Sequence, residues 1–153
     1  MGLTLEFFVG DVDAITNAIK YADLMRLDDP LVVEKKADFS LHLNPNDLNL
    51  LSLEVGIITR EDPLLLRPYL SIIIDENDYG LLTVERKWIE YVAQIPSNQS
   101  EQLLTNWFTE MAKDYNDPDI IETDQGLKAI RDLVELCNYA IAADCQVVHY
   151  WQL

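Results

Sequence analysis

The hydrophobic pattern of this chain changes period once near its end, and that change predicts a helix followed at once by a strand. Leu127, Ile130, Val134, Cys137 and Ile141 fall at spacings of three, four, three and four, one continuous apolar stripe along a helix. Leu133 and Ala140 widen the stripe. Thr123 or Asp124 supplies the cap, because either side chain can accept a hydrogen bond from a free backbone N–H of the first turn. Beyond Ala143-Asp144 the period becomes two. Val147, His149, Trp151 and Leu153 point one way, and Gln146, Val148, Tyr150 and Gln152 point the other. Left bare, a strand this apolar would template aggregation, so the C-terminus is expected inside the fold.

The N-terminus carries the same signal. Leu3, Leu5, Phe7 and Val9 alternate with Thr4 and Glu6, which predicts an opening strand in the same sheet as the closing one. Val12, Ile15, Ile19 and Ala22 then keep helical spacing to about Leu27. Asp11 caps that helix, Asp13 favours its positive end, and Asp28-Asp29-Pro30 stops it. In residues 37–44, Phe39, Leu41 and Leu43 alternate with Ser40 and His42, a strand or an extended approach to the next helix. Asn44-Pro45 opens that helix, and Leu48, Leu51 and Val55 carry it to about Gly56. Arg60–Pro63 reads as a turn. Tyr69–Ile74, apolar on both faces, reads as a central strand. Asp75–Gly80 is a polar turn, after which Leu81-Leu82 pairs back briefly. Val84, Trp88, Tyr91 or Val92, and Ile95 form a helical stripe ending at Pro96. Ser97–Ser100 caps a further helix with Leu103, Leu104, Trp107, Phe108 and Met111 inward, and residues 113–124 form an acidic surface loop.

Helices outnumber strands and do not alternate with them, which disfavours a doubly wound parallel sheet. The expected architecture is α+β: a small sheet carrying the N- and C-terminal strands, packed against four or five helices. At 153 residues this is one domain, 1–153, able to bury roughly 68–70% of its unfolded surface without a disulfide or metal. A Trp-bearing helix after a turn, a Leu/Trp helix, then a long Ala-ended helix and an apolar strand resembles, over Tyr79–Leu153, the layout of the YfbM-like group of small bacterial proteins. The resemblance implies a compact bacterial α+β domain of unassigned activity. It supplies no catalytic residues, and Leu31–Pro63 has no counterpart in it.

Charge narrows the partners. With 27 acidic and 11 basic residues the net charge is −16, which repels nucleic acid and anionic membrane alike. Such a charge is either a solvated coat or a means of steering toward a basic protein. Cys137 and Cys145 are not expected to bridge, since eight helical residues separate their Cα atoms by ~12 Å. MGLTLEFFVGDVD has no basic segment of the secretory type. Met1-Gly2 suggests an acylation start, but residue 6 is Glu rather than Ser or Thr. The longest apolar run falls short of a membrane span. A cytoplasmic protein is expected.

The chemistry-bearing residues form only fragments of known motifs. Asp75-Glu76-Asn77-Asp78-Tyr79-Gly80 begins like a calcium loop but has Tyr at position five and Arg86 where a bidentate Glu belongs. Cys137, Cys145 and His149 lack the close pair of a zinc site, and Cys145 and His149 stand ~13 Å apart along an extended strand. The carboxylate pairs Asp11/Asp13, Asp28/Asp29, Glu61/Asp62, Asp75/Asp78 and Asp117/Asp119 fall in turns or caps. Trp88, Trp107 and Trp151 each sit on an apolar stripe and read as core. No phosphate loop, nucleophile elbow or metalloprotease helix is present.

These features favour a non-enzymatic, acidic protein-binding module of immunity or inhibitor type. Asp75, Glu76 and Asp78, with Asp114, Asp117, Asp119 and Glu122, are the residues expected to contact a basic partner protein. No cofactor or metal is implied, and monomer and homodimer are both open. The rival is a small-ligand protein or enzyme with its site near His42 or His149.

Overall fold

The computed structural model describes residues 3–67 and 70–153. Among them are five strands and five α-helices. Strand β1 (Thr4–Gly10) leads into α1 (Val12–Lys20), a 3-10 turn (Leu24–Asp28) and β2 (Val33–Asp38). Helix α2 (Pro45–Thr59) precedes the hairpin of β3 (Leu70–Asp75) and β4 (Tyr79–Val84). Helices α3 (Arg86–Ala93), α4 (Ser100–Asp114) and α5 (Asp124–Ala143) follow, and β5 (Val147–Gln152) closes the chain. The sheet is antiparallel throughout, in the order β2-β1-β5-β4-β3. The two terminal strands are thus neighbours, with Thr4 opposite Gln152 and Phe8 opposite Val148.

Period-two alternation in β1 and β5 sorts their side chains onto two faces. Leu5, Phe7, Val9 and Val147 enter the larger core, under α2 to α5, whose stripes supply Leu48, Trp88, Trp107, Leu133 and Cys137. Phe8, Val148 and Tyr150 enter a smaller core on the opposite face, closed by Ile15, Ala18 and Ile19 of α1 and by Leu27. Burying Phe7 or Trp88 against leaving it in water is worth roughly 1.5–3 kcal/mol each by area. Both faces are covered, as the apolar character of these strands requires. Gly10, at the bulge where β1 meets β2, allows a close approach: a Cβ there would stand 2.0 Å from the Val32 carbonyl oxygen.

Local signals explain the starts of the helices. Asp11 accepts from Ala14 N–H at the head of α1. Asn44 and Asp47 form a reciprocal capping box at α2, with Pro45 in its first turn. Thr123, not Asp124, caps α5 through Gly126 N–H.

Several elements differ from the pattern along the chain. Helix α1 ends at Lys20 rather than near Leu27, because Ala22 turns left-handed and the remaining apolar positions form the 3-10 turn. The strand expected around Phe39–Leu43 lies earlier, at Val33–Asp38, where its backbone pairs with β1; Phe39 itself is core. The strand at Leu70–Asp75 is an edge, not central, and Ile72 is 67% exposed. Tyr69, its expected first residue, and Met1-Gly2 lie outside the described residues. Val84 belongs to β4, which pairs along its whole length rather than briefly, so the third helix begins only at Arg86. No Ser97–Ser100 side chain caps the first turn of α4; the segment is a 3-10 turn and Ser100 is buried inside the helix. Helix α2 runs on to Thr59.

Candidate functional site

The seven carboxylates expected to meet a partner emerge at one end of the sheet. Asp75, Glu76 and Asp78 surround the β3–β4 turn, and Tyr79 just after it pairs with Gln152, which pairs with Thr4 at the start of β1. On the other side β2 ends at Asp38, opposite Glu6, and the chain passes through Ser40, whose Oγ accepts from Leu5 N–H, to Asn44. The Asn44 amide donates to Tyr115 Oη, which ties the α4–α5 loop to the same end. All seven are exposed, and none forms an ion pair among the described residues. Lys35, Lys36, Arg86, Lys113, Lys128 and Arg131 pair with other carboxylates. The loop is shaped as well as charged: Asp117 accepts from Asp119 N–H at 2.9 Å, and Asp117, Ile121 and Glu122 wall an open groove of about 840 Å³ against α4. Ile121 is 70% exposed on it.

Asp47 anchors this end. It is 1% exposed, accepts from Asn44 N–H at 2.8 Å and from Tyr115 O–H at 3.0 and 3.1 Å, and its carbonyl accepts from Trp107 Nε1–H at 2.8 Å. Burial raises the Asp47 carboxyl above its ordinary range against the pull of these donors. Burial and then the Asp47 carboxylate push the Tyr115 hydroxyl up to about 12. The spacing Asn44-x-x-Asp47 after a loop was the legible sign of the capping box. Nothing in the sequence pointed to Tyr115 or Trp107 as its partners.

The two histidines differ. His42 is exposed on the β2–α2 loop with φ +62°, and lines a groove of about 610 Å³ with Asp38 and Asp132. Lys36 and Lys128 line the same groove, Lys128 pairs with Asp132, and no hydrogen bond joins His42 to either carboxylate among the described residues. His149, in the central strand, is 4% exposed. Its Nδ1 lies 3.0 Å from the Glu6 carbonyl oxygen, and its ring stacks on Phe7 with centroids 4.4 Å apart. Burial lowers its basicity to a pKa of about 4, against the smaller opposing effect of the Glu6 carbonyl.

His149 lines a cleft of about 510 Å³ on the helix-covered side of the sheet. Leu48 and Pro45 of α2, Leu70 and Ile72 of β3, Leu82 of β4 and Trp151 of β5 form most of its wall. Gly80 makes room for Trp151: a Cβ there would stand 2.3 Å from the indole nitrogen. Trp88 and Trp107 are core, as expected, with Trp88 Nε1–H donating to Ser52 Oγ at 3.1 Å. Trp151 is only partly so. Its alternation with His149 was legible, but the meeting with α2 and the segment before β3 was not, because those partners are far apart in sequence.

Other fragments resolve simply. The Asp75–Gly80 string is flanked by strands, not by the helices of a calcium loop. Among the described residues no three His, Cys, Asp or Glu side chains gather to hold a metal. Cys137 and Cys145 are free thiols; Cys137 is fully buried, which pushes its thiol well up. Glu54 is buried between α2 and α4, and burial, then Glu110, raises its carboxyl. Among the described residues no helix is long and apolar enough to cross a membrane.

No protein-family model matches this chain, and no curated protein matches it. Among solved structures it is weakly similar to a protein of unknown function, YfbM, from Escherichia coli. The likeness spans 98% of this chain and 99% of that one, at 11% identity and a TM-score of 0.36, and no activity follows from it.

Proposed function

We propose that this protein is an acidic protein-binding module of immunity or inhibitor type, acting in the bacterial cytoplasm on a basic partner protein. One observation supports the reading: seven exposed carboxylates form no ion pair with any described residue, and two of them, Asp117 and Glu122, wall a groove that offers apolar contact at Ile121. Carboxylates without internal partners lose little solvation energy until a cation arrives, and their summed field accelerates the approach of a basic surface. The groove supplies what charge alone does not, an area that excludes water.

The protein is immobilised and exposed to its native lysate at about 0.05 M and about 0.5 M salt, where screening lengths differ roughly threefold. The wild type is compared with a variant carrying Asp114→Asn, Asp117→Asn, Asp119→Asn and Glu122→Gln. A basic protein retained at low salt, released at high salt and lost with the variant supports the reading. Equal retention by wild type and variant removes it.

A further inference from the structure

We propose that the cleft beside His149 binds a neutral, hydrophobic ligand carrying one hydroxyl or N–H donor, of which an alkylphenol is a simple example, and that His149 Nε2 accepts its hydrogen bond. This goes beyond the protein-binding reading and does not depend on it; either can fail alone.

The geometry specifies the ligand through the imidazole. A carbonyl oxygen only accepts, so the 3.0 Å contact to Glu6 places the ring proton on Nδ1. In the neutral ring Nε2 is then a bare acceptor. No described residue donates to it, and among the described residues no fully buried side-chain nitrogen lacks a partner. The cleft is the opening that His149 lines, and it is there that a ligand's donor would meet Nε2. The ring cannot swing away: it is stacked on Phe7 and sits on β5, between β1 and β4. An acceptor held rigidly in an apolar wall rewards the ligand that brings a donor and penalises one that does not.

Size and charge complete the description. About 510 Å³ lies within the range of small-molecule sites, which are mostly apolar with a few fixed polar groups. Among the described residues no Asp or Glu side chain lines the cleft to hold a cation. Arg67 lines its exposed rim, but a net charge of −16 opposes the approach of an acid. A neutral ligand meets neither obstacle.

The test titrates the whole protein with 4-butylphenol, butylbenzene and 4-butylbenzoate, measuring affinity by calorimetry and the His149 ring nitrogens by NMR. The phenol is expected to bind roughly five- to tenfold more tightly than butylbenzene and to shift the Nε2 resonance. His149→Phe keeps an aromatic ring on Phe7 and is expected to bind both equally. Ile72→Trp, at the exposed mouth of the cleft, is expected to block both without touching the core. Equal affinity of phenol and butylbenzene for the wild type, an unmoved Nε2 resonance at saturation, or tightest binding of the benzoate would each overturn the proposal.

Discussion

The His149 cleft and the acidic end of the sheet recognise by opposite means. The cleft offers an apolar shape with few polar groups; the acidic end offers charge over an open groove. They also differ in what they do for the fold. The cleft is lined by the same strands that build the larger core, and its histidine rests on Phe7, which also meets Trp88 and Phe39 at 5.8 Å each. The acidic carboxylates touch no described cation and support little beyond their own turns. A site made of core residues is rigid but cannot change without risk to stability. A site made of solvated charge can vary freely, and it depends on ionic strength for its effect.

The largest test of this contrast is at Phe7. Phe7→Ala removes a fully buried ring beneath His149 and is expected to cost about 3–5 kcal/mol, read as a lowered urea midpoint. An effect under about 1 kcal/mol would mean that the cleft is not tied to the core as described.

The next test is acid. His149 has a native pKa of about 4 against an ordinary value of 6.5. Between these values the unfolded chain takes up a proton that the native ring refuses. Stability is therefore lost as pH falls from 6.5 toward 4, by ~3 kcal/mol in total, and the loss levels off below that. Glu6, Asp47 and Glu54 act in the opposite sense: burial raises each above its ordinary value, so their protonation favours the native state as pH falls. Urea midpoints across this range for the wild type and His149→Phe isolate the histidine. Parallel curves would show that Nε2 takes up its proton in the native cleft.

The smallest expected effect is at the acidic loop. The fourfold neutralised variant at Asp114, Asp117, Asp119 and Glu122 is expected to match the wild type within about 0.5 kcal/mol in urea unfolding, because these side chains are exposed and unpaired among the described residues. A loss above ~1.5 kcal/mol would make the loop a structural element and erase the contrast.

Much of this was written locally. Alternation at Leu3–Val9 and Val147–Leu153 marked two strands with buried faces, and they lie side by side. Asp11, Asn44-Pro45 and Thr123 marked helix starts because capping is settled within a few residues of backbone. The acidity of residues 75–78 and 114–122 marked them as solvated. Local pattern misled where cover comes from afar. Ile72, Ile73 and Ile74 look like a central strand, but whether a strand is central depends on what pairs with its second edge, and none of the described strands does so for β3. Val12 to Leu27 keeps a helical period, yet the chain must turn back to lay β2 beside β1, and Ala22 breaks the helix to do so.

By itself the sequence determined the buried faces of the two terminal strands and of the main helices, and the large uncompensated negative charge, because both follow from composition and spacing. Only the tertiary structure decided that β5 sits at the centre and β3 at the edge, that two acidic turns share one end, and that His149 lines an apolar cleft. Those outcomes depend on contacts between segments far apart in the chain. Strand order and loop closure choose among such contacts, and no local period encodes them.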